Sequence, residues 1–109
     1  HVVILAAGQG KRMRSALHEG EYVVALEIKG RAMTTPELAR WLADRMAGGR
    51  DLALLVGGPE GLDADLSARA DFRWSLSPLT WPHGLVRILV AEQLYRAHSL
   101  LQGHPYHRA

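Results

Sequence analysis

The sequence predicts an α/β fold built on a mostly parallel sheet of about four strands. Short runs of β-branched and aliphatic residues recur along the chain, and segments with helical periodicity separate them. Strands that alternate with helices favour parallel pairing, because each helix carries the chain back across the sheet. The chain has 109 residues, of which 48% are hydrophobic, which suffices for one core but not for two ordinary domains. We therefore expect residues 1–109 to form a single domain.

The predicted strands and the first helix follow from local patterns. The four apolar runs that resemble buried strands are residues 2–6, 22–27, 52–56 and 73–77. A helix is expected to begin at Thr34, because Glu37 stands at the capping-box spacing from it and Pro36 fits a first helical turn. Gly48 and Gly49 should end this helix. Its apolar face, which should cover one side of the sheet, consists of Leu38, Trp41, Leu42 and Met46.

Two further helices are predicted, at about residues 62–70 and 82–102. Asp63 is a suitable cap for the first of them. The last helix has apolar residues around most of its circumference, so it must be buried on more than one side. We expect a second copy of the chain to supply the additional cover, and therefore a homodimer. The alternative, ranked a little lower, is that the N-terminal segment folds over this helix.

Composition limits the possible functions. Cysteine is absent, which excludes disulfides, thiolate nucleophiles and zinc sites of the cysteine type. The longest apolar stretch is interrupted by charged residues, so no membrane span is expected. A reducing cytoplasm fits this composition, and His1 in place of Met suggests a trimmed start. The net charge is only +2, but 11 of the 13 basic residues are arginines, which permits an RNA surface as well as an ordinary solvated one.

Two loops follow predicted strands and suggest a binding crevice. Residues 57–61, Gly-Gly-Pro-Glu-Gly, come directly after the third strand, where glycines allow a ligand to approach the backbone. Residues 75–82 follow the fourth strand and contain two prolines and three hydroxyl side chains. Loops at the carboxyl ends of neighbouring parallel strands form the usual ligand position of α/β sheets. Each loop could equally be structural, the first a tight turn and the second a strand-to-helix connection.

The C-terminal segment concentrates reactive side chains. Residues 104–108 read His-Pro-Tyr-His-Arg and follow Gly103, which should end the last helix. Histidine and tyrosine can transfer protons, and arginine can bind phosphate. The segment is therefore expected to dock near a site, although a terminal segment without the two loops would be expected to fray.

Together these segments resemble the RlmH family of SPOUT-class methyltransferases, which modify N3 of a pseudouridine in the 23S RNA of the large ribosomal subunit. The resemblance covers about residues 20–109 and rests on several motifs in the same order. These are Leu-Leu-Val-Gly-Gly-Pro-Glu-Gly at residues 54–61, Trp-Ser-Leu-Ser-Pro-Leu-Thr at 74–80, Pro-His at 82–83, Leu-Val-Arg at 85–87, Ala-Glu-Gln-Leu-Tyr-Arg-Ala at 91–97 and His-Pro-Tyr-His-Arg at 104–108.

The resemblance implies a SPOUT-like α/β knot with helices on both faces of the sheet and a C-terminal trefoil knot. It also implies S-adenosylmethionine as cofactor, no metal, ribosomal RNA in the 70S ribosome as substrate, and a homodimer whose interface completes the site. The residues that it places at the cofactor are Leu26, Gly58, Ser77, Pro78, Leu79, Thr80, Trp81 and Pro82. Trp81 departs from the smaller aliphatic residue expected there, which should alter the edge of the pocket.

The same resemblance suggests roles for the C-terminal residues. The N3 nitrogen of the base is a poor nucleophile while it is protonated, so the site must help to remove a proton and align the reacting atoms. Tyr106 or His107 would take or relay that proton, and Arg108 would hold RNA phosphate or stabilise the deprotonated base.

Residues 1–17 resemble a different family. Residues 5–13, Leu-Ala-Ala-Gly-Gln-Gly-Lys-Arg-Met, are similar to the first strand and phosphate loop of N-acetylglucosamine-1-phosphate uridylyltransferases. The chain is too short for that catalytic domain, so the segment is expected to supply a strand and a glycine turn in a natural or engineered chimera. About a third of an RlmH-type chain would then be missing. Two alternatives to an active methyltransferase follow: a non-catalytic knotted dimer that at most binds the cofactor, and, least favoured, a nucleotide-binding protein using residues 8–12.

Overall fold

The computed structural model describes residues 2–6, 17, 19–57, 62–77, 79–104 and 106. They form four strands and three helices. In chain order these are β1 (Val2–Ala6), β2 (Tyr22–Ala32), α1 (Thr35–Gly48), β3 (Leu52–Val56), α2 (Ala64–Arg69), β4 (Phe72–Ser75) and α3 (His83–Leu101). The predicted bounds of β1 and β3 are confirmed, and both later helices are slightly shorter than predicted. β4 begins one residue before and ends two residues before the predicted run at 73–77, and β2 continues five residues beyond Glu27.

All strand pairs in the sheet are parallel, and the strand order is β1-β3-β2-β4. β1 pairs with β3 in register from Val2 opposite Leu52 to Ala6 opposite Val56. The described part of the N-terminal segment is therefore an edge strand. Residues 7–16, where the predicted glycine turn falls, lie outside the described residues.

Helices cover both faces of this sheet, as predicted. β3 is buried along its whole length, which explains its unbroken apolar run. On one face Leu54 packs in a cluster with Leu38 of α1 and Val90 of α3. On the other face Leu55 packs in a cluster with Leu66 of α2. Alternate residues of one strand thus serve two separate cores, because successive side chains of a strand point to opposite faces.

The predicted capping box begins α1. The Glu37 backbone N–H donates to Thr34 Oγ1 at 3.3 Å, and the Thr34 N–H donates to Glu37 Oε1 at 2.8 Å. These contacts with Thr34 lower the pKa of the Glu37 carboxyl, the bond from the Thr34 backbone contributing most. Gly49 ends the helix with a φ of 74°, a left-handed conformation that glycine adopts without steric cost.

Replacing Thr34 with alanine should lower the free energy of unfolding by about 1 kcal/mol, because one of the first backbone donors of α1 loses its acceptor. Urea denaturation at neutral pH measures this change in the free energy of unfolding.

The pH dependence of the same cap follows from Glu37. Since the pKa of Glu37 is lowered in the folded state, the stabilising effect of its carboxylate is fully present above its unfolded pKa. It is lost as the pH falls through the lowered folded pKa. Thr34→Ser is the matched control, and equal stability of the alanine and serine variants would contradict the prediction.

The long helix α3 has one buried side and one exposed apolar side. Val90 and Ala97 are fully buried against the sheet, whereas Ile88 and Tyr95 are 65% and 54% exposed. Ile88 and Tyr95 are seven residues apart and therefore share a face. Within the described residues, none of the helices combines the length and the apolar character needed to cross a membrane.

Candidate functional site

A cavity of about 750 Å³ lies at the carboxyl ends of β3 and β4 and beside the middle of β2. Its walls come from Leu26 of β2, from Val56 and Gly57 at the end of β3, and from residues 74–77 at β4 and the start of the following loop. This is the position that the two predicted loops indicated, and the volume lies within the range of small-molecule sites. The remaining wall combines apolar and polar residues in equal number, and its apolar part includes Leu62 before α2 and Val86 of α3.

A break in the pairing of β2 with β4 shapes one wall of the cavity. Both Leu26 and Arg31 are opposite Trp74, so the residues between them have no partners in register. Three of these residues, Glu27, Ile28 and Lys29, line the cavity. The sequence prediction ended the strand at Glu27 and missed this wall, although a glycine within an apolar strand pattern, here Gly30, is the usual signal of a bulge or a close backbone approach.

Gly30 permits this arrangement because the backbone of β4 passes directly over it. A Cβ atom on Gly30 would lie 2.8 Å from the carbonyl carbon of Arg73 and 2.8 Å from the backbone nitrogen of Trp74. Both are backbone atoms, so no side-chain rotation would relieve the contact. The requirement for glycine is therefore imposed by β4.

A polar network on the cavity wall joins β2, α2 and β4. Ser67 Oγ donates to Glu27 Oε1 at 2.7 Å, and Arg73 Nε lies 3.2 Å from Glu27 Oε2. An Arg73 terminal nitrogen also donates to the Ser67 carbonyl oxygen at 2.8 Å. All three side chains belong to residues that line the cavity, and none of them was among the predicted site residues.

Internal hydrogen bonds hold the loop that follows β4. Ser75 is buried, and its hydroxyl donates to the Ser77 carbonyl oxygen at 3.1 Å. The Leu79 backbone N–H donates to Ser77 Oγ at 3.1 Å. The loop then turns Leu79, Thr80 and Trp81 to the cavity, where Leu79 and Trp81 remain 64% and 40% exposed. A loop ordered in this way loses little entropy on binding a ligand.

The structure brings together five of the eight predicted cofactor residues. Leu26, Ser77, Leu79, Thr80 and Trp81 line the cavity. Pro82 caps the N-terminus of α3, is exposed, and is not among the described residues that form the wall. The other two, Gly58 and Pro78, lie outside the described residues.

Of the predicted catalytic residues the structure describes Tyr106, which lies at the far end of α3. The Tyr106 ring packs edge-on against Tyr95, with 4.7 Å between ring centroids, and the Arg96 guanidinium lies 5.0 Å from the Tyr106 centroid. Arg96 Nε donates to Glu92 Oε1 at 2.8 Å, and this bond raises the pKa of Arg96. Val86, on the cavity wall, is nine residues from Tyr95, which corresponds to about 14 Å along the helix. His107 and Arg108 lie outside the described residues.

A second cavity of about 590 Å³ lies between α1 and α3, where β1 and β3 begin. Its wall includes Arg45, Leu94 and His98, and none of the predicted site residues contributes to it. The carboxyl ends of the strands are the usual ligand position in α/β sheets, so the first cavity is the candidate site. Among the described residues, no cluster of three or more histidine or acidic side chains is arranged to hold a metal ion.

A parallel sheet with helices on both faces, and a small-molecule cavity at the carboxyl ends of its strands, defines a ligand-binding α/β domain. The chain belongs to the SPOUT methyltransferase family, since the family model described as "Predicted SPOUT methyltransferase" matches residues 4–107.

Curated proteins similar to this chain indicate a particular group within the SPOUT methyltransferase family. The chain is 66% identical over 101 residues to a protein of Alkalilimnicola ehrlichii and 62% identical over 104 residues to one of Thioalkalivibrio sulfidiphilus. A protein of Hahella chejuensis is 54% identical over 100 residues. The matches cover 93%, 95% and 92% of this chain, and each relative is called ribosomal RNA large subunit methyltransferase H. The predicted resemblance to the RlmH family is confirmed.

The extent of these matches bears on two predictions. The chain spans 64%, 67% and 64% of the length of the three relatives, or about two thirds. The family match begins at residue 4 and so includes most of the segment 1–17. The origin of that segment in a nucleotidylyltransferase stays a prediction.

Proposed function

We propose that the chain is the cofactor-binding part of an S-adenosylmethionine-dependent methyltransferase that modifies N3 of a pseudouridine in 23S ribosomal RNA. The observation that carries this proposal is the cavity at the carboxyl ends of β3 and β4, beside the middle of β2. Five residues that the resemblance assigned to the cofactor line it. The names of the relatives support ribosomal RNA as the substrate, and a substrate of that kind favours a cytoplasmic location.

The described residues fit this cofactor. Leu26, Val56 and Leu76 offer apolar surface to an adenine ring, while the wall around Glu27, Ser67 and Arg73 offers polar partners. The cavity is large enough for a molecule of this size. Leu26, Gly58 and residues 77–82 would hold the cofactor largely through apolar contacts and backbone groups. When bound, S-adenosylmethionine supplies an electrophilic methyl carbon.

A group of the protein must remove the proton from N3 of the base before the methyl group is transferred. We assign this transfer to Tyr106 or His107, and the binding of phosphate or of the deprotonated base to Arg108. The position of Tyr106 near Tyr95 separates it from the cavity of its own chain by roughly 14 Å along α3. A C-terminal segment contributed by a second copy removes this separation.

A homodimer formed through α3 accounts for the exposed apolar side of this helix and for the distance between Tyr106 and the cavity of its own chain. Leu85, Ile88 and Tyr95 present apolar surface on α3, and Tyr106 packs against the same helix. Exposed apolar surface of this kind is typical of association between copies. In the proposed dimer the segment 104–108 of one copy lies over the cavity of the other, and the chain around the cavity forms the trefoil knot.

One alternative is a knotted dimer that binds the cofactor without catalysis. The matches leave about a third of the relatives' length outside the aligned part, and the cavity alone supports cofactor binding rather than recognition of the ribosome. The cavity, in contrast, consists of residues that are present.

Two measurements test these proposals in turn. Titration calorimetry with S-adenosylmethionine, S-adenosylhomocysteine and UTP should show binding of the first two compounds. Binding of UTP alone would contradict the proposal and favour the nucleotide-binding function of residues 8–12. Transfer of a labelled methyl group to 70S ribosomes then distinguishes the enzyme from the non-catalytic dimer, for which cofactor binding is expected without transfer.

A further inference from the structure

Glu27 occupies a position from which it could contact the sugar of a nucleoside. It follows Leu26, which pairs with Val56, the last residue of β3 before the glycine loop. The Glu27 side chain lies on the cavity wall and is 26% exposed. A carboxylate is thus placed one residue past the last β2–β3 pair, on the same cavity wall as Gly57.

Contacts on two sides fix the orientation of this carboxylate. Oε1 accepts a hydrogen bond from Ser67 Oγ at 2.7 Å, and Oε2 lies 3.2 Å from Arg73 Nε. Arg73 is itself bonded to the Ser67 backbone, so the donors are tied to each other. A carboxylate has about four acceptor positions, and these contacts use one on each oxygen. Within the part of the chain that the structure describes, the second acceptor position on each oxygen is left for a ligand.

Two adjacent oxygens held in one plane match the two adjacent hydroxyls of a ribose. In dinucleotide-binding folds an acidic side chain that follows the glycine loop by about 20 residues bonds the ribose 2′-hydroxyl. Glu27 precedes the glycine loop in sequence, but it lies next to the residue that pairs with the end of β3. We propose that Glu27 binds the ribose hydroxyls of the cofactor and that Ser67 and Arg73 are positioning residues for it. This inference rests on the proposed function, because it takes S-adenosylmethionine as the ligand of the cavity.

The bulge in β2 is consistent with this role. If β2 and β4 continued in register past Leu26, Glu27 would be an ordinary ladder residue. The break between Leu26 and Arg31 instead places residues 27–29 on the wall. The Glu27–Arg73 ion pair alone contributes little to stability, because Arg73 is 49% exposed and solvent screens the pair.

Calorimetric titration with S-adenosylhomocysteine and with its 2′-deoxy and 3′-deoxy derivatives tests the proposal. The wild-type chain should bind the ribose compound roughly 10-fold or more tightly than at least one deoxy derivative, because each hydroxyl bonded to a charged group contributes to affinity. Glu27→Gln should weaken binding of S-adenosylhomocysteine by about 10- to 100-fold and bring the ratio of the affinities close to one. Asp44→Asn on α1 is the control and should leave both values unchanged.

The positioning residues have a separate readout. Ser67→Ala should reduce the preference for ribose, and Ser67→Thr, which retains the hydroxyl, should restore it. Equal affinity of the wild-type chain for ribose and deoxyribose compounds would overturn the proposal, and this result needs no variant to fold. A Glu27→Gln variant that loses affinity but keeps the full preference would overturn it too, assigning Glu27 to another part of the cofactor. If the wild-type chain bound no S-adenosylhomocysteine, the proposed function would fail and the inference with it.

Discussion

Replacing Gly30 with alanine is expected to weaken binding of S-adenosylmethionine by at least roughly 10-fold and to lower the free energy of unfolding by about 1 to 3 kcal/mol. The added methyl group would lie 2.8 Å from backbone atoms of Arg73 and Trp74. Because these atoms belong to β4, the contact is relieved only if the two strands separate. β4 leads directly into the loop that carries Ser77, Leu79 and Thr80, so this movement should open the cavity. Calorimetry measures the affinity, and urea denaturation measures the stability.

Gly48→Ala is the matched control for this substitution. Gly48 lies in the last turn of α1, and a Cβ atom there would have no described neighbour within 4 Å. Alanine has the higher helix propensity, so the control should be neutral or slightly stabilising. If Gly30→Ala resembled Gly48→Ala in both affinity and stability, the close approach of β4 would not constrain the cavity.

Gly30 also illustrates which parts of the site could be predicted from the sequence. The strands and α1 were predictable because their signals are local: apolar runs for β1 and β3, and the Thr34–Glu37 capping box for α1. The position of the cavity followed from two loops at the ends of parallel strands. The constraint on Gly30 comes instead from β4, more than forty residues later in the chain.

The polar network was missed for a related reason. Ser67 and Arg73 stand among polar and charged residues around a short helix, a pattern typical of a solvated surface. Their role depends on Glu27, which is 40 residues from Ser67 in sequence, and on the bulge that places Glu27 on the wall. Similarly, the sequence indicated that the C-terminal segment carries reactive groups. It did not indicate that Tyr106 would pack beside Tyr95, far along α3 from the cavity.

Replacing Ile88 with glutamate is expected to convert the proposed dimer into a monomer, raising the dissociation constant by roughly 100-fold or more. Ile88 is 65% exposed in the single chain, so the substitution should leave the core of the subunit intact. In the dimer the same side chain would be buried, and a carboxylate there would lose its solvation without a partner. Sedimentation equilibrium over a range of protein concentrations measures the change.

The Ile88→Glu substitution should also affect methyl transfer, because Tyr106 lies far from the cavity of its own chain. If the C-terminal segment of one copy serves the cavity of the other, the monomeric variant should lose methyl transfer to ribosomes, while the wall formed by Leu26, Val56 and Ser77 remains in each chain. Ala47→Glu is the matched control, since Ala47 is exposed on α1 and lines neither of the two cavities. It should remain dimeric and as active as the wild-type chain. A monomeric Ile88→Glu variant with undiminished methyl transfer would show that Tyr106 acts within its own chain, which would require its segment to leave Tyr95 and cross about 14 Å to the cavity.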